Sequence, residues 1–176
     1  KINIQNKIII LESTVYPGVT RKFANQIVLN SKHLQIGKNI FFGYSPEREN
    51  PGDKSFSYQK TPKVISGYSS NCLKLMKKIY NSIAKKTYQC GSMEEAETSK
   101  LLENLYRSIN IGLANEMKLI CDKLNINVHN VIETASTKNF GFQKFLPGPG
   151  LGGHCIPIDP YYLSWISEKN GYEPKL

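Results

Sequence analysis

KIIILEST, residues 7–14, is the stretch on which the fold turns. Its isoleucines run on without the polar alternation of a half-exposed strand, which is how a strand reads when both faces are covered. The expectation is a central strand of a parallel sheet. Pro17 and Gly18 break the run, and Val19, Phe23, Ala24, Ile27 and Val28 then recur at helical spacing, so a helix follows. Downstream, IFFGY at residues 40–44 reads as a second strand that stops at Ser45 and Pro46 and feeds the polar, turn-rich ERENPGDKSFSYQK. VISG at residues 64–67 reads as a third. Ser69 or Ser70 caps the next helix, whose apolar stripe is Cys72, Leu75, Met76, Ile79, Tyr80 and Ile83, and residues 87–90 suit a fourth strand. Alternating strands and helices predict an α/β half with a parallel sheet. Ligands gather at the carboxyl ends of such strands, where this reading puts Thr14, Glu47 and Gly67.

From about Glu94 the pattern changes. No turn residue interrupts the chain until Asn125, and Leu101, Leu105, Gly112, Leu113, Met117, Ile120 and Leu124 keep a helical repeat. This predicts one helix of about 30 residues, about 45 Å long, the kind that bridges domains or subunits. A shorter helix at 128–135 follows, then the glycine- and proline-rich FLPGPGLGGHCIPIDP at 145–160, then a last helix from Pro160. The fold class is therefore α/β followed by mostly α, divided at residues 92 and 93.

Composition narrows the function classes. The chain has 176 residues, 40% hydrophobic and 21% charged, an ordinary globular balance that excludes collagen-like, low-complexity and coiled-coil architectures. The net charge of +9 suits an anionic partner without identifying it. No run is long and apolar enough for a membrane span, and KINIQNKIII is too polar for a signal peptide, so a soluble cytoplasmic protein is expected. Cys72, Cys90, Cys121 and Cys155 form no CxxC pair, which argues for reduced thiols and against a zinc knuckle. The sequence begins with Lys1 and contains no GxGxxG, so a piece of a longer protein is the expectation.

The loop at 145–160 combines glycines that let backbone approach a ligand with prolines that fix its path. Cys155 lies in it beside His154, where a lowered pKa would make a nucleophilic thiolate; an inert loop cysteine is the competing account. Lys100 and Asn104 stand four apart on the long helix, so an ammonium and a carboxamide share one face and suit an oxyanion. A solvated pairing of Lys100 with Glu97 or Glu103 would explain the lysine equally. Asp159 before Pro160 reads as a helix cap, a role compatible with water activation four residues beyond Cys155. Thr14 and Glu47 are loop caps or ligand contacts.

Four blocks in order, ESTVYPGVT, GYSPERENPGD, AETSKLLENLYRSINIGLANE and PGPGLGGHCIPIDPYYL, together resemble the UDP-glucose/GDP-mannose dehydrogenase family across nearly the whole chain. GGHCIPIDP and SPERxxPG resemble most the branch that oxidises UDP-N-acetyl-hexosamines, UDP-N-acetylglucosamine or UDP-N-acetylmannosamine. The resemblance implies the end of a Rossmann-like parallel-sheet domain, joined by the long helix to a helical dimerisation domain. It implies two-fold oxidation of the sugar C6 alcohol to a uronate with two NAD⁺, through a cysteine thioester, for surface polysaccharide synthesis. Cys155 would be the nucleophile, Lys100 and Asn104 would steady the oxyanion, and Asp159 would assist water or proton transfer. Thr14 would hold a water near C6 and, with Glu47, face the cofactor. Lys144, Phe145, Leu146, Pro147, Gly148 and Gly152, with Lys100 and Asn104, would bind the UDP-sugar. A homodimer through the long helix is expected, with no nucleic acid, membrane or metal.

Two departures qualify the transfer. The glucose enzymes carry a glutamate where Pro51 stands here, leaving Glu47 or Glu49 as the acid/base carboxylate, and Ile158 replaces their lysine three past the cysteine. The family's glycine fingerprint and its C-terminal domain have no counterpart in the chain, so weak NAD⁺ binding by this polypeptide alone is expected. A catalytically silent fragment keeping the dimerisation module is the rival reading. A nucleic-acid-binding domain would explain the charge but finds no aromatic-basic interleaving.

Overall fold

The computed structural model describes residues 3–48, 61–153 and 156–175. Contacts divide the chain into two compact units, residues 1–101 with 165–176, and residues 102–164.

In the first unit, strands β1 (Lys7–Leu11), β2 (Ile40–Tyr44), β3 (Lys63–Gly67) and β4 (Thr87–Gln89) form one sheet in that order. Helix α1 (Val19–Leu29) connects β1 to β2, and α2 (Ser70–Tyr80) connects β3 to β4. Both helix-connected pairs are parallel, as a crossover requires. The β2–β3 pair is antiparallel, with Gly43 opposite Gly67 and Tyr44 opposite Ser66, so the sheet is mixed rather than wholly parallel. No helix is described between these two strands, and an antiparallel neighbour needs none. This reversal corrects the expected place of Gly67. The carboxyl end of β3 points away from the sheet edge that carries Thr14 and Glu47, and Lys63, at the strand's start, takes its place there.

Alternation along the strands sends successive side chains to opposite faces. Ile9, Ile40 and Phe42 pack with Ala24 of α1, while Ile8, Ile10 and Ile65 pack with Met76 and Tyr80 of α2. Among the described strands β1 stands first in the sheet order, and its residues from Ile8 to Leu11 are half-buried. Covered faces produce the apolar run whether or not the strand has a neighbour on both edges. Ser69 caps α2, accepting the Cys72 N–H at 3.4 Å.

At Gly67 the backbone of α2 lies close against β3. A Cβ there would lie 2.4 Å from Leu73 N and 2.8 Å from its Cα, backbone that cannot rotate aside. Gly67→Ala is expected to cost about 1–3 kcal/mol through overpacking, read as a lower denaturation midpoint with an unchanged m-value.

Helix α3 (Met93–Lys123) is a single 31-residue helix, close to the length expected. Its first turn contributes Met93 and Ala96 to a cluster with Tyr44 and Val64 in the first unit. Two residues beyond the end of α3, Asn125 holds φ +53°, the left-handed conformation asparagine tolerates just past a helix C-terminus. Helix α4 (Val128–Ser136) begins with Asn127, whose Oδ1 accepts the N–H groups of His129 and Asn130. Val128 and Ile132 then pack on Cys121 and Met117 of α3. Helix α5 (Asp159–Lys169) starts one residue earlier than its Asp-Pro pair suggests. None of the described helices is long and apolar enough to cross a membrane.

Candidate active site

Thr14 is half-buried on the turn between β1 and α1, and the residues around it are fixed individually. The Tyr44 hydroxyl donates to the Ser13 carbonyl at 3.2 Å. Val15 packs with the Met93 and Ala96 cluster, and the Tyr16 ring lies 4.8 Å from that of Trp165 at 57°. Gly18, with φ +94°, gives α1 a cap residue that has no side-chain oxygen.

Glu47 follows β2 and is half-exposed. Its Oε2 accepts from Lys63 Nζ at 3.0 Å, and its Oε1 accepts the Arg48 N–H at 2.7 Å. Lys63 is buried and also lies 3.3 Å from Glu12 Oε1, the same oxygen that accepts the Tyr80 hydroxyl at 2.6 Å. Burial works against the Lys63 charge, but the carboxylates of Glu47 and Glu12 outweigh it and hold its pKa above the ordinary lysine value. The strand-end carboxylate is therefore anchored by a cation rather than left as a free loop acid. Lys63 was not among the residues the sequence singled out; one lysine opening a β-branched strand, KVIS, is its only sequence signal.

Lys100 is half-buried on α3, and no ion pair is found for it among the described residues. The pairing with Glu97 weighed as an alternative does not form. Glu97 is fully buried and accepts the Gly18 N–H at 2.6 Å, the Thr20 N–H at 2.9 Å and the Thr20 hydroxyl at 2.6 Å.

One turn beyond Lys100, Asn104 is buried and its Nδ2 donates to Asp159 Oδ2. Asp159 is 3% exposed. Its carboxylate is thus turned to Asn104, 55 residues away in sequence, and Asp159 is the first residue of α5 rather than the cap preceding it. Two candidate residues from separate motifs meet here inside the second unit.

The glycine- and proline-rich segment lies on the same unit. Phe145 packs edge-on against Tyr106 of α3, with centroids 6.1 Å apart, and Tyr106 donates its hydroxyl to Gln143 Oε1 at 2.9 Å. Gly148 N–H donates to Asn115 Oδ1 at 2.8 Å, so the segment is tied to α3 at two places. Lys144 pairs with Glu133 of α4, Pro147 is half-buried, and Leu146 and Gly148 are exposed. Gly152 is exposed with φ +70°. A cavity of about 650 Å³ opens between this segment, α3 and α4, lined by Tyr106, Leu113, Met117, Ile132, Phe142 and Phe145 among others. Cys155 and His154, like Glu49 and Pro51, lie outside the described residues. Among the described residues no group of three His, Cys, Asp or Glu side chains could hold a metal.

Residues 1–84 match the NAD binding domain of the UDP-glucose/GDP-mannose dehydrogenase family, and residues 94–176 match the central domain of the same family. Protein CapL of Staphylococcus aureus is 38% identical over 177 residues, which cover 100% of this chain and 41% of that protein. The UDP-N-acetyl-D-glucosamine 6-dehydrogenase of Salmonella typhi is 39% identical over 170 residues, covering 96% of this chain and 40% of that one. Among solved structures, a UDP-D-ManNAc dehydrogenase from Pyrococcus horikoshii superposes with a TM-score of 0.85 at 34% identity, covering 98% of this chain and 40% of its own. The chain thus spans about two fifths of the length of the curated relatives it matches.

Proposed function

Because this chain belongs to the UDP-glucose/GDP-mannose dehydrogenase family, we propose that the complete protein is an NAD-dependent 6-dehydrogenase of a UDP-N-acetyl-hexosamine. It converts the C6 alcohol to the carboxylate and serves surface polysaccharide synthesis in the cytoplasm. The observation that carries the reading is the buried bond between Asn104 and Asp159. It brings together, from α3 and from the end of the glycine- and proline-rich segment, two residues that the motifs assign to one reaction. Residues 1–92 are the carboxyl-terminal part of the cofactor domain, and residues 93–176 the connecting helix and central domain.

NAD⁺, when bound, would supply the hydride acceptor for two oxidations at C6. Thr14 and Glu47, on the loops that leave the parallel strands β1 and β2, are the residues of this chain that would face it. Between the oxidations the Cys155 thiolate adds to the C6 aldehyde, forming the C–S bond of a thiohemiacetal whose oxygen carries the negative charge. Lys100 and Asn104 stabilise that oxygen. With the acceptor that NAD⁺ would supply for the second oxidation, the Cys155 sulfur would be left on C6 as a thioester. Water, held by Thr14 and deprotonated with the help of Asp159, breaks the C–S bond to give the uronate and return the thiolate. The aldehyde stays on the enzyme because sulfur captures it. Lys144, Phe145, Leu146, Pro147, Gly148 and Gly152 form the substrate loop. A homodimer through α3 accounts for the exposed apolar row Leu102, Tyr106, Ile109 and Leu113, which recurs at helical spacing.

The test is stoichiometry. The complete protein, given NAD⁺ and UDP-N-acetylglucosamine or UDP-N-acetylmannosamine, is expected to release two NADH per uronate with one of them. No NADH with either sugar overturns the reading, and one NADH per sugar with free aldehyde overturns the covalent step.

A further inference from the structure

Glu97 is fully buried, accepts three hydrogen bonds, and has no role in the chemistry above. We propose that Glu97 is a positioning residue, clamping the turn that carries Thr14 onto the first turns of α3. The proposal rests on the reading of Thr14 and Lys100 as members of the reaction site.

The first N–H groups of any helix lack intrahelical partners, and α1 begins at a glycine that cannot supply one. Gly18 holds φ +94°, a conformation nearly confined to glycine, and directs its N–H to Glu97 Oε2 while Thr20 uses both of its donors on Oε1. A carboxylate from another helix thus performs the cap. Stability alone accounts poorly for this choice, because a buried carboxylate carries a desolvation cost that an apolar contact between two helices avoids. Burial accordingly pushes the Glu97 pKa up, against the bonds from Thr20 and Gly18 that favour its ionised form. What the carboxylate adds is direction. It fixes the carboxyl side of a turn whose other members are held through Ser13, Val15 and Tyr16, and it stands three residues before Lys100.

A neighbouring pair supplies the control. Arg21 Nε and Nη2 donate to Glu94 Oε1 and Oε2 at 2.5 and 3.1 Å, joining the same two helices at a half-exposed position, with Arg21 also 4.8 Å above the Tyr68 ring. Glu94→Gln weakens helix docking without touching the turn.

The experiment compares Glu97→Gln, Thr20→Val and Glu94→Gln in the complete protein, by amide hydrogen exchange over residues 14–20 and by steady-state kinetics. Glutamine keeps the volume but turns a donor toward Gly18 or Thr20. Its expected effects are at least about tenfold faster exchange in that segment and about a hundredfold lower kcat, the scale of an ångström-sized misplacement, with KM for the UDP-sugar unchanged. Thr20→Val, which keeps the Gly18 bond and serves if Glu97→Gln fails to fold, gives smaller changes of the same kind. Glu94→Gln leaves kcat unaltered. Unchanged exchange in Glu97→Gln, or in Thr20→Val where only that variant folds, overturns the clamp whether or not the enzyme turns over. A kcat loss in Glu94→Gln equal to that in Glu97→Gln also overturns it, since generic helix docking would then be responsible. A wild-type protein that forms no NADH overturns the functional reading instead, and the exchange comparison still decides the clamp.

Discussion

Cys155→Ser in the complete protein is expected to abolish uronate formation, lowering four-electron turnover on the order of 10³-fold or more, as removal of a nucleophile does in other covalent mechanisms. A thiolate adds readily to a carbonyl carbon, whereas a neutral serine hydroxyl is a far weaker nucleophile. Without sulfur on the carbon, the aldehyde has no covalent adduct from which the second hydride can leave. Uronate measured by chromatography and NADH measured by absorbance read the loss directly. Full four-electron turnover by the variant would remove the cysteine from the mechanism.

Lys100→Met is expected to lower kcat by about 10²–10³-fold, the cost of deleting one preorganised donor to an oxyanion. Methionine keeps the unbranched stem and removes the ammonium alone. Folding should tolerate the change, because Lys100 is half-buried and has no ion pair among the described residues. Asn104 stays oriented by Asp159 in the variant, so the residual rate measures the carboxamide without the cation. A kcat within twofold of wild type would show that the ammonium does not face the developing charge.

The two variants differ in what they leave behind. Sulfur removed leaves no second oxidation; the ammonium removed leaves a slow but complete one. Product ratios therefore separate the two proposed roles even if both rates fall below easy measurement of kcat.

Much of the fold was legible because local signals agreed with tertiary demand. IFFGY became β2 with its expected bounds, Ser69 capped α2, and Asn125 stands just past the end of the long helix. Each depends on backbone preference or on a period of a few residues. The direction of β3 does not, since KVIS reads identically whichever way the strand enters the sheet, and the antiparallel pairing exchanged Gly67 for Lys63 at the sheet edge that carries Thr14 and Glu47.

At the candidate site, sequence spacing named residues one helix or one motif at a time, and the bonds among them were not legible from it. Glu97 looked like an ion partner for Lys100 at helical spacing, yet its bonds reach Gly18 and Thr20, 79 and 77 positions away. Asp159 looked like a local cap, yet its carboxylate meets Asn104. Both bonds escape a local reading for one reason: a buried carboxylate is satisfied by whatever donors the tertiary fold delivers, and sequence spacing reveals only the donors nearby. Lys63 escaped notice for the same reason, as its two carboxylates follow two different strands.

Rapid quenching of the complete protein during turnover with NAD⁺ and its UDP-N-acetyl-hexosamine, followed by peptide mass analysis, tests the covalent route most directly. The account predicts a transient adduct of the oxidised sugar nucleotide on the peptide containing Cys155, lost on treatment with hydroxylamine and absent from Cys155→Ser. Undiminished uronate production with Cys155 unmodified at every time point would contradict it.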